Sequence, residues 1–361
     1  MATQRIGAYP VQLNWHAKAD EVGFILEDSG AKVLVAHADL LGHCGPVIPK
    51  GLPILGVLPS LQIIDAYRLG GEARSLPMHA TEWEGWLSRQ SPTISNMVQA
   101  VESIIYTSGT TGRPKGVRRF QPSPSQVQVT ERMRATVFGI GEGARALVPA
   151  PLYHTAPNLF AMRAIRTAEL LVLPARFDAE SLLHDIERYR ITHLYVVPTI
   201  FVRLLSLPAE VRGRYDLGTL TFVLHAGGPC SPGIKAAMIA WWGPIIHEYY
   251  GSTEAGPITF MRAQEWLERP GSVGHAVEGV HIEVHDEEGK VLGAGEVGEL
   301  CVRNDNYADF TYLNRPDERA ALQRGNLMLT GDLGYRDAQG YYYLCDRKKD
   351  LVVRSINMVT N

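Results

Sequence analysis

The residues of this chain that are best suited to chemistry lie between Tyr106 and Gly116, directly after an apolar run. This loop contains four Ser or Thr hydroxyls, three glycines and one lysine, Lys115. Glycines let backbone N–H groups approach an anion closely, hydroxyls add neutral donors, and a lysine adds a point charge. We therefore predict a polyphosphate-binding loop of a nucleotide-using enzyme, with an ordinary polar turn after a strand as the alternative. Pro114 before the lysine and Gly116 after it disfavour a Walker A P-loop.

A second chemical segment runs from His247 to Glu254, where a pair of tyrosines is followed by a glycine, two Ser or Thr hydroxyls and the carboxylate of Glu254. A tyrosine ring can stack on a purine, hydroxyls can bind phosphate, and a carboxylate such as Glu254 can ligate Mg²⁺. A strand that ends in a capped turn has the same composition. The segment alone does not decide between these two interpretations.

The third segment is Thr330-Gly331-Asp332, followed by a charged run over residues 346–350. A carboxylate such as Asp332 can accept both hydroxyls of a ribose, and Arg347 can donate to ribose or phosphate oxygens. Thr-Gly-Asp is a common tripeptide, and a charged run is often a solvated face. The third segment therefore predicts a nucleotide site only in combination with the other two segments.

The composition disfavours several classes of protein. The chain has 361 residues, a formal net charge of −3 and 45% hydrophobic residues, which allows two or more cores and disfavours binding driven by overall charge. No run approaches the roughly 18 consecutive apolar residues of a membrane span, and residues 1–5 do not begin an apolar signal segment. The four cysteines lack metal-ligand and redox spacing, and the histidines are scattered with no HExxH pattern. We expect free thiols in a reducing compartment and no zinc site.

Strand and helix patterns alternate along most of the chain. The predicted helices cover 21–28 with Asp20 as the cap, 179–189 with Asp178 as the cap, and 232–242 after Ser231. The predicted strands cover 32–36, 103–106, 170–173, 193–197, 220–224, 245–249, 280–285 and 299–302. Repeated strand–helix–strand units predict an α/β fold with mostly parallel sheets and flanking helices over residues 1–271. Alternating patterns after residue 271 predict a smaller antiparallel β unit over 272–345.

The three chemical segments, in this order and approximate spacing, resemble the acyl-adenylate-forming (AMP-binding) superfamily. That superfamily includes acyl-CoA synthetases, peptide-synthetase adenylation domains and luciferases, and the resemblance covers nearly the whole chain. It implies the large N-terminal domain of such an enzyme. It also implies that ATP and a carboxylic acid form an acyl-adenylate and pyrophosphate, after which a thiol, usually that of CoA, displaces AMP. The implied cofactors are ATP, Mg²⁺ and CoA, and the main tasks of the protein are positioning and charge neutralisation.

The resemblance also implies roles for individual residues. Residues 107–111 and Lys115 would hold the β- and γ-phosphates, Tyr250 would pack on adenine, and Thr253 would touch the α-phosphate. Asp332 and Arg347 would bind ribose, and Glu254 would ligate Mg²⁺. The implied catalytic residues are His154, Lys115, Thr253 and Glu254. The implied nucleotide-binding residues are Thr107, Ser108, Gly109, Thr110, Thr111, Gly112, Lys115, Tyr250, Gly251, Ser252, Thr253, Asp332 and Arg347.

The acyl group would meet a different set of residues. His154 falls where the family places an aromatic gate near the substrate carboxylate, and a core histidine is the plainer alternative. The segment 225–228 looks like the acyl-pocket wall, so the implied acyl-binding residues are His154, His225, Ala226, Gly227 and Gly228. Amino-acid-activating relatives carry an aspartate shortly after this histidine, whereas residues 155–160 offer no carboxylate for a buried ammonium. We therefore expect a fatty or alicyclic acid, since the details look most like bacterial fatty-acid or bile-acid CoA ligases.

Both ends of the chain look truncated when they are compared with this family. Lys349 matches the interdomain hinge, so residues 346–361 would be the hinge and the remnant of a missing C-terminal domain. We expect a fragment that binds nucleotide but adenylates poorly. The alternatives are a non-catalytic nucleotide-binding protein and an acyl-transfer or luciferase-like variant. The implied partners are the carboxylic acid, ATP and CoA in the cytoplasm, with no nucleic acid, no membrane span and a homodimer left open.

Overall fold

The computed structural model describes residues 2–91, 101–107 and 113–347, with the backbone alone at Arg5 and Arg347. The chain forms two compact units. The first unit comprises Met1–Gln121, Pro174–Arg176 and Phe310–Pro316. The second unit comprises Pro122–Leu173, Phe177–Asp309 and Asp317–Asn361.

Short polar residues and prolines start several of the helices. Asp178 accepts a hydrogen bond from the N–H of Ser181 at 2.8 Å, and Ser231 accepts one from the N–H of Ile234 at 3.4 Å, so both predicted helix starts are confirmed. The α-helices of the described residues are α1 (Ala2–Arg5), α2 (Ala19–Asp28), α3 (Ala38–Cys44), α4 (Leu61–Tyr67), α5 (Trp83–Leu87), α6 (Pro124–Phe138), α7 (Thr155–Thr167), α8 (Ala179–Arg188), α9 (Pro198–Leu205), α10 (Ala209–Arg212), α11 (Pro232–Trp242), α12 (Ala263–Glu268) and α13 (Pro316–Ala320).

The strands are short, and most of them belong to the second unit. The β-strands of the described residues are β1 (Val11–Gln12), β2 (Leu34–His37), β3 (Ile54–Val57), β4 (Ala80–Glu82), β5 (Ile104–Thr107), β6 (Lys115–Arg119), β7 (Arg145–Leu147), β8 (Leu170–Val172), β9 (His193–Val196), β10 (Phe222–His225), β11 (Ile246–Ser252), β12 (Gly256–Met261), β13 (Ser272–Ala276), β14 (Val280–His285), β15 (Gly298–Asn304), β16 (Phe310–Tyr312), β17 (Gln323–Arg324), β18 (Leu327–Arg336) and β19 (Tyr342–Arg347).

The described residues of the first unit form two sheets. One has the strand order β1-β5-β6-β16, with β1 and β5 parallel and the others antiparallel. The other is a parallel sheet of β2, β3 and β4. Leu26 of α2 and Leu41 of α3 pack on Leu34 and Ile54 of the parallel sheet to form a core.

The second unit is built on one long sheet with the order β14-β15-β18-β19-β13-β12-β11-β10-β9-β7-β8. The strands from β11 to β8 are parallel, and those from β12 to β14 pair antiparallel. A parallel sheet needs helices over both of its faces. Leu183 of α8, Phe201 of α9 and Met238 of α11 pack together on one side. Phe138 of α6 and Phe160 of α7 meet with ring centres 6.1 Å apart, and Phe160 contacts Tyr195 of β9.

The predicted α/β architecture is confirmed, while two details of it need comment. Asp20 is not the cap of α2, because the helix begins at Ala19, two residues before the predicted start. Lys18 occupies the cap position, and its N–H donates to the Glu21 carboxylate at 3.2 Å. The boundary at residue 271 stays a prediction. The antiparallel strands after it continue the parallel sheet through the pairing of β12 with β13. None of the described helices is long and apolar enough to cross a bilayer.

Candidate active site

The glycine-rich loop connects β5 and β6, which form an antiparallel hairpin in the first unit. Thr107 at the end of β5 pairs in register with Lys115 at the start of β6, so the two ends of the loop lie side by side. The Lys115 ammonium lies 5.1 Å from the centre of the Tyr312 ring on β16, a distance typical of a cation–π contact. The remaining predicted loop residues lie outside the described residues: Ser108, Gly109, Thr110, Thr111 and Gly112.

The base of this hairpin explains why Gly116 follows the lysine. A Cβ at Gly116 would lie 2.8 Å from the ring of Tyr106, which is closer than a side chain tolerates. The Tyr106 hydroxyl donates a 2.8 Å hydrogen bond to Asp28 at the end of α2. Burial and this carboxylate raise the pKa of Tyr106, so the tyrosine remains a donor.

Two predicted nucleotide-binding residues of the second unit meet, although they lie 82 positions apart in the sequence. The hydroxyl of Tyr250, near the end of β11, donates to Oδ2 of Asp332 on β18 at 2.7 Å, the distance of a charge-assisted hydrogen bond. The hydroxyl of Thr330 accepts from the N–H of Asp332 at 3.1 Å and donates to the Leu300 carbonyl at 2.9 Å. Both the backbone and the carboxylate of Asp332 are therefore held in place.

The predicted ribose residues lie on neighbouring strands. Asp332 of β18 and Arg347 of β19 are register partners in the antiparallel ladder. Strand pairing therefore brings Arg347 next to Asp332, as expected from their proposed common ligand. Lys349, the predicted hinge, lies outside the described residues.

Gly251, Ser252, Thr253 and Glu254 lie at the tip of the hairpin formed by β11 and β12. A Cβ at Gly251 would lie 2.3 Å from the carbonyl oxygen of Gly256, so only glycine allows the two strands to approach this closely. Ser252 stabilises the turn by accepting a 3.0 Å hydrogen bond from the N–H of Ala255. An irregularity in the strand pairing between Tyr250 and Gly251 shifts the register there, and such shifts re-aim side chains next to functional sites.

His154 and Thr253 are connected through a residue that we did not assign from the sequence. Thr155, the first residue of α7, shares a 2.6 Å hydrogen bond between its hydroxyl and that of Thr253. His154 is the N-cap residue of the same helix, and its ring centre lies 4.5 Å from that of Tyr153. Burial lowers the pKa of His154, which favours a neutral ring at pH 7. The structure thus places the predicted gate residue one position away from a partner of Thr253.

The predicted acyl-pocket wall divides into a buried part and an exposed part. Gly227 and Gly228 are exposed, whereas His225 and Ala226 are 0% and 3% exposed. Gly227 has φ +82°, a conformation that favours glycine. The His225 ring lies 5.5 Å from that of Phe201 on α9, so it is directed towards the core. Contact of these four residues with an acyl chain stays a prediction.

His225 belongs to a buried charged cluster. Its Nε2 lies 3.3 Å from Oε2 of Glu248, which also accepts a 2.6 Å hydrogen bond from the Lys235 ammonium. Burial works to raise the pKa of Glu248, but the adjacent His225 and Lys235 outweigh it and hold the pKa at about 2. Burial lowers the pKa of His225 and of Lys235. We therefore assign the ion pair to Lys235 and Glu248, which lie closest to each other, with a neutral His225 beside them.

His247, the first residue of the second chemical segment, is structural. Its ring stacks between Phe222 and Phe260, with centre distances of 4.3 and 5.8 Å. Its Nδ1 accepts the N–H of Ala263 at 3.3 Å, so that nitrogen must be unprotonated. Burial, followed by the positive charge of Arg262, lowers its pKa to about 4. His247 therefore fixes the start of β11, which carries Tyr250 at its other end.

Comparison with known proteins identifies the family of the chain. Residues 1–309 match the sequence profile of the family described as AMP-binding enzyme, and the chain belongs to that family. The medium/long-chain-fatty-acid–CoA ligase FadD8 of Mycobacterium tuberculosis is 31% identical over 338 residues, which cover 91% of this chain and 56% of FadD8. The chain thus spans a little over half the length of this relative.

Solved structures show the same fold. The amide bond synthetase McbA from Marinactinospora thermotolerans superimposes with a TM-score of 0.79 at 25% identity, over 96% of this chain and 66% of that one. The O-succinylbenzoate coenzyme A synthetase MenE from Bacillus subtilis, solved in complex with AMP, superimposes with a TM-score of 0.71 at 25% identity. That match covers 97% of this chain and 65% of MenE.

Proposed function

We propose that this protein activates a carboxylic acid with ATP and transfers the acyl group to CoA, as an AMP-forming acyl-CoA ligase. The observation that carries the proposal is the hydrogen-bonded pair of Tyr250 and Asp332 in a chain of the AMP-binding enzyme family. The names of FadD8, a fatty-acid–CoA ligase, and of MenE, a CoA synthetase solved with AMP, support it. A fatty or alicyclic acid remains the favoured substrate.

In the first step, an oxygen of the substrate carboxylate attacks the α-phosphorus of ATP. A new acyl–phosphate bond forms, the bond between the α- and β-phosphates breaks, and pyrophosphate leaves. Thr107 would donate a hydrogen bond to a phosphate oxygen, and the Lys115 ammonium would offset part of the phosphate charge. In the second unit, Tyr250 would stack on adenine, Asp332 and Arg347 would accept and donate hydrogen bonds at the ribose, and Thr253 would contact the α-phosphate. These groups accelerate the reaction by orientation and by neutralising charge.

His154 would orient the substrate carboxylate. Burial favours its neutral form, and a neutral ring can hydrogen-bond to a carboxylate without forming an ion pair. The carboxylate would keep more of its nucleophilicity than it would beside a cation. The hydroxyl pair of Thr155 and Thr253 would link the start of α7 with the α-phosphate contact.

Mg²⁺ fits the chemistry of the turn at the end of β11. Glu254 and Thr253 offer a carboxylate and a hydroxyl, which are the oxygen ligands that Mg²⁺ prefers. Within the described ranges, no cluster of three or more His, Cys, Asp and Glu side chains could hold a metal ion. Mg²⁺ is usually bound by one or two carboxylates together with substrate phosphates, so Glu254 would hold it jointly with ATP. When bound, Mg²⁺ would offset the charge of the phosphates.

In the second step, the CoA sulfur attacks the acyl carbonyl carbon, a C–S bond forms, and the C–O bond to AMP breaks. The thiol proton passes to solvent. The similarity to McbA, which is an amide bond synthetase, favours a second candidate in which an amine replaces the thiol. Both candidates share the first step. Location in the cytoplasm stays a prediction, which is based on the use of ATP and CoA by the reaction. A homodimer also stays a prediction.

The test is ATP–pyrophosphate exchange with a panel of fatty, alicyclic, aryl and amino acids, followed by AMP release with CoA or with an amine. We expect slow exchange with fatty or alicyclic acids, slow CoA-dependent AMP release, and loss of both in Asp332→Ala. Saturation with an acyl-AMP analogue at a hundredfold excess over Kd should stabilise the wild type by about 2.7 kcal/mol. Nucleotide binding without any exchange would establish a non-catalytic nucleotide-binding protein, and amine-dependent AMP release would establish the second candidate.

A further inference from the structure

A side-chain amide braces the turn that carries Thr253 and Glu254, in addition to the hydroxyl of Ser252. Nδ2 of Asn304, the last residue of β15, donates to the carbonyl of Ala255 at 2.9 Å and to that of Pro257 at 3.1 Å. These two carbonyls flank Gly256, where φ is +71° and the chain reverses direction. One side chain therefore fastens both sides of the turn.

The amide of Asn304 is itself fixed in orientation. Its Oδ1 accepts from the N–H of Asn306 at 3.1 Å and from Nδ2 of Asn306 at 3.0 Å. Asn306 Nδ2 also donates to the carbonyl of Glu278 at 2.7 Å. If the amide of Asn304 were rotated by 180°, its oxygen would face two carbonyl oxygens and its NH₂ group would face two donors. Only the observed orientation satisfies all of these groups.

The segment that follows Asn304 is anchored on the long helix α6. The hydroxyl of Thr130 donates to the carbonyl of Asn306, and Nε of Arg134 donates to the Tyr307 hydroxyl at 3.1 Å. Thr130 and Arg134 are both buried. The Tyr307 ring lies against Gly256, where a Cβ would be only 2.6 Å away. The support of the turn therefore extends to two buried side chains of α6.

We propose that Asn304 is a positioning residue for the nucleotide site, which acts by fixing the turn from which Thr253 and Glu254 project. This inference rests on the proposed function. Asn304 touches neither nucleotide nor metal in this scheme. Without its amide, two carbonyls of the turn lose this donor. Ligand binding must then order the turn, which costs binding free energy and weakens the affinity. Comparable supporting hydrogen bonds behind metal ligands change affinity or activity by about 10–100-fold.

The experiment compares Asn304→Ala and Asn304→Leu with the wild type, and Arg303→Ala is the matched control. Leucine keeps most of the volume of asparagine, so it preserves packing if alanine fails to fold. Arg303 precedes Asn304 on β15, and its guanidinium forms a surface ion pair with Asp305 at 2.8 Å. Its loss leaves the turn untouched. Calorimetry gives the Kd of AMP, ATP–pyrophosphate exchange gives the KM values of ATP and of the acid, and thermal unfolding confirms that each variant is folded.

Both Asn304 variants should raise the Kd of AMP and the KM of ATP by about tenfold, with the KM of the acid changed by less than about twofold. Arg303→Ala should match the wild type. A lower melting temperature with an unchanged AMP Kd would overturn the inference, because a merely structural residue does not affect ligand affinity in the folded protein. Equal increases in the KM of ATP and of the acid would also overturn it. If the wild type itself binds no AMP, the proposed function fails, and this inference fails with it.

Discussion

Removal of the Tyr250 hydroxyl tests whether Asp332 must be oriented before it can bind ribose. Tyr250→Phe keeps the ring that would stack on adenine and deletes only the donor of the 2.7 Å hydrogen bond to Oδ2 of Asp332. A hydrogen bond to a charged group contributes about 1.5–3 kcal/mol. The pair is only partly buried, so we take the lower value, about 1.5 kcal/mol, which corresponds to about a tenfold weaker affinity.

The assay is calorimetric titration of AMP into the wild type, Tyr250→Phe, Asp332→Ala and the double variant. We expect the Kd of Tyr250→Phe to rise about tenfold. In the Asp332→Ala background the same change should alter the Kd by less than about twofold, because residues that act as one unit are not additive. Tyr343→Phe is the control, since its hydroxyl lies 3.5 Å from the Asp337 carboxylate on the same sheet, and it should leave the Kd unchanged. Additive losses, or an unchanged Kd in Tyr250→Phe, would refute the reasoning.

Three further predictions concern the scaffold of the site. The pKa of His247 is about 4 in the folded protein, against an ordinary value of 6.5. As the pH is lowered, His247 is therefore protonated in the unfolded chain before it is protonated in the folded protein, and the free energy of unfolding decreases. Between pH 7 and pH 5, the free energy of unfolding measured by urea titration should fall by about 2 kcal/mol less in His247→Gln than in the wild type. The same pH profile in both proteins would contradict this. Lys235→Met should destabilise the protein by about 3–5 kcal/mol, because the buried carboxylate of Glu248 loses its partner. The double variant Lys235→Met with Glu248→Gln should regain much of the lost free energy of unfolding. An equal loss in the single and the double variant would argue against a coupled pair. Gly256→Ala should cost about 1–3 kcal/mol, since φ is +71° and a Cβ would contact the Tyr307 ring; wild-type stability in a melting experiment would exclude that strain.

Much of the local structure could be predicted from sequence because it depends on neighbouring residues. The cap at Asp178 and the start of α11 after Ser231 follow from side chains that bond to N–H groups three positions away. The buried face of α8 follows from the spacing of Leu182, Leu183 and Ile186. The prediction that Asp20 caps α2 is wrong for a related reason. Several polar residues near a helix start can serve as its cap, and the sequence does not rank them.

Thr155 and Asn304 show what local reasoning missed at the candidate site. Each is a small polar residue in an unremarkable context, and each makes contacts that are distant in sequence. Thr155 bonds to Thr253, 98 positions away, and Asn304 bonds to Ala255, 49 positions away, and to Pro257. His225 shows the same limit in another way. Its neighbours predict a pocket wall, and they do not reveal that the pairing of β10 with β11 places its ring beside Glu248. Strands alternate their side chains between two faces, so the covering helices decide which face is core.

The sequence by itself determined that strands and helices alternate along this chain, and it predicted nucleotide-binding chemistry in three segments between them. Residue types and short spacings are enough for such conclusions, because they reflect local backbone geometry and the donors and acceptors of each side chain. Only the tertiary structure decided that Tyr250 holds Asp332, that Lys235 and Glu248 form a buried pair, and that Asn304 fastens the turn of Thr253. These contacts depend on strand order and register, which are set by burial of the whole sheet rather than by any one segment.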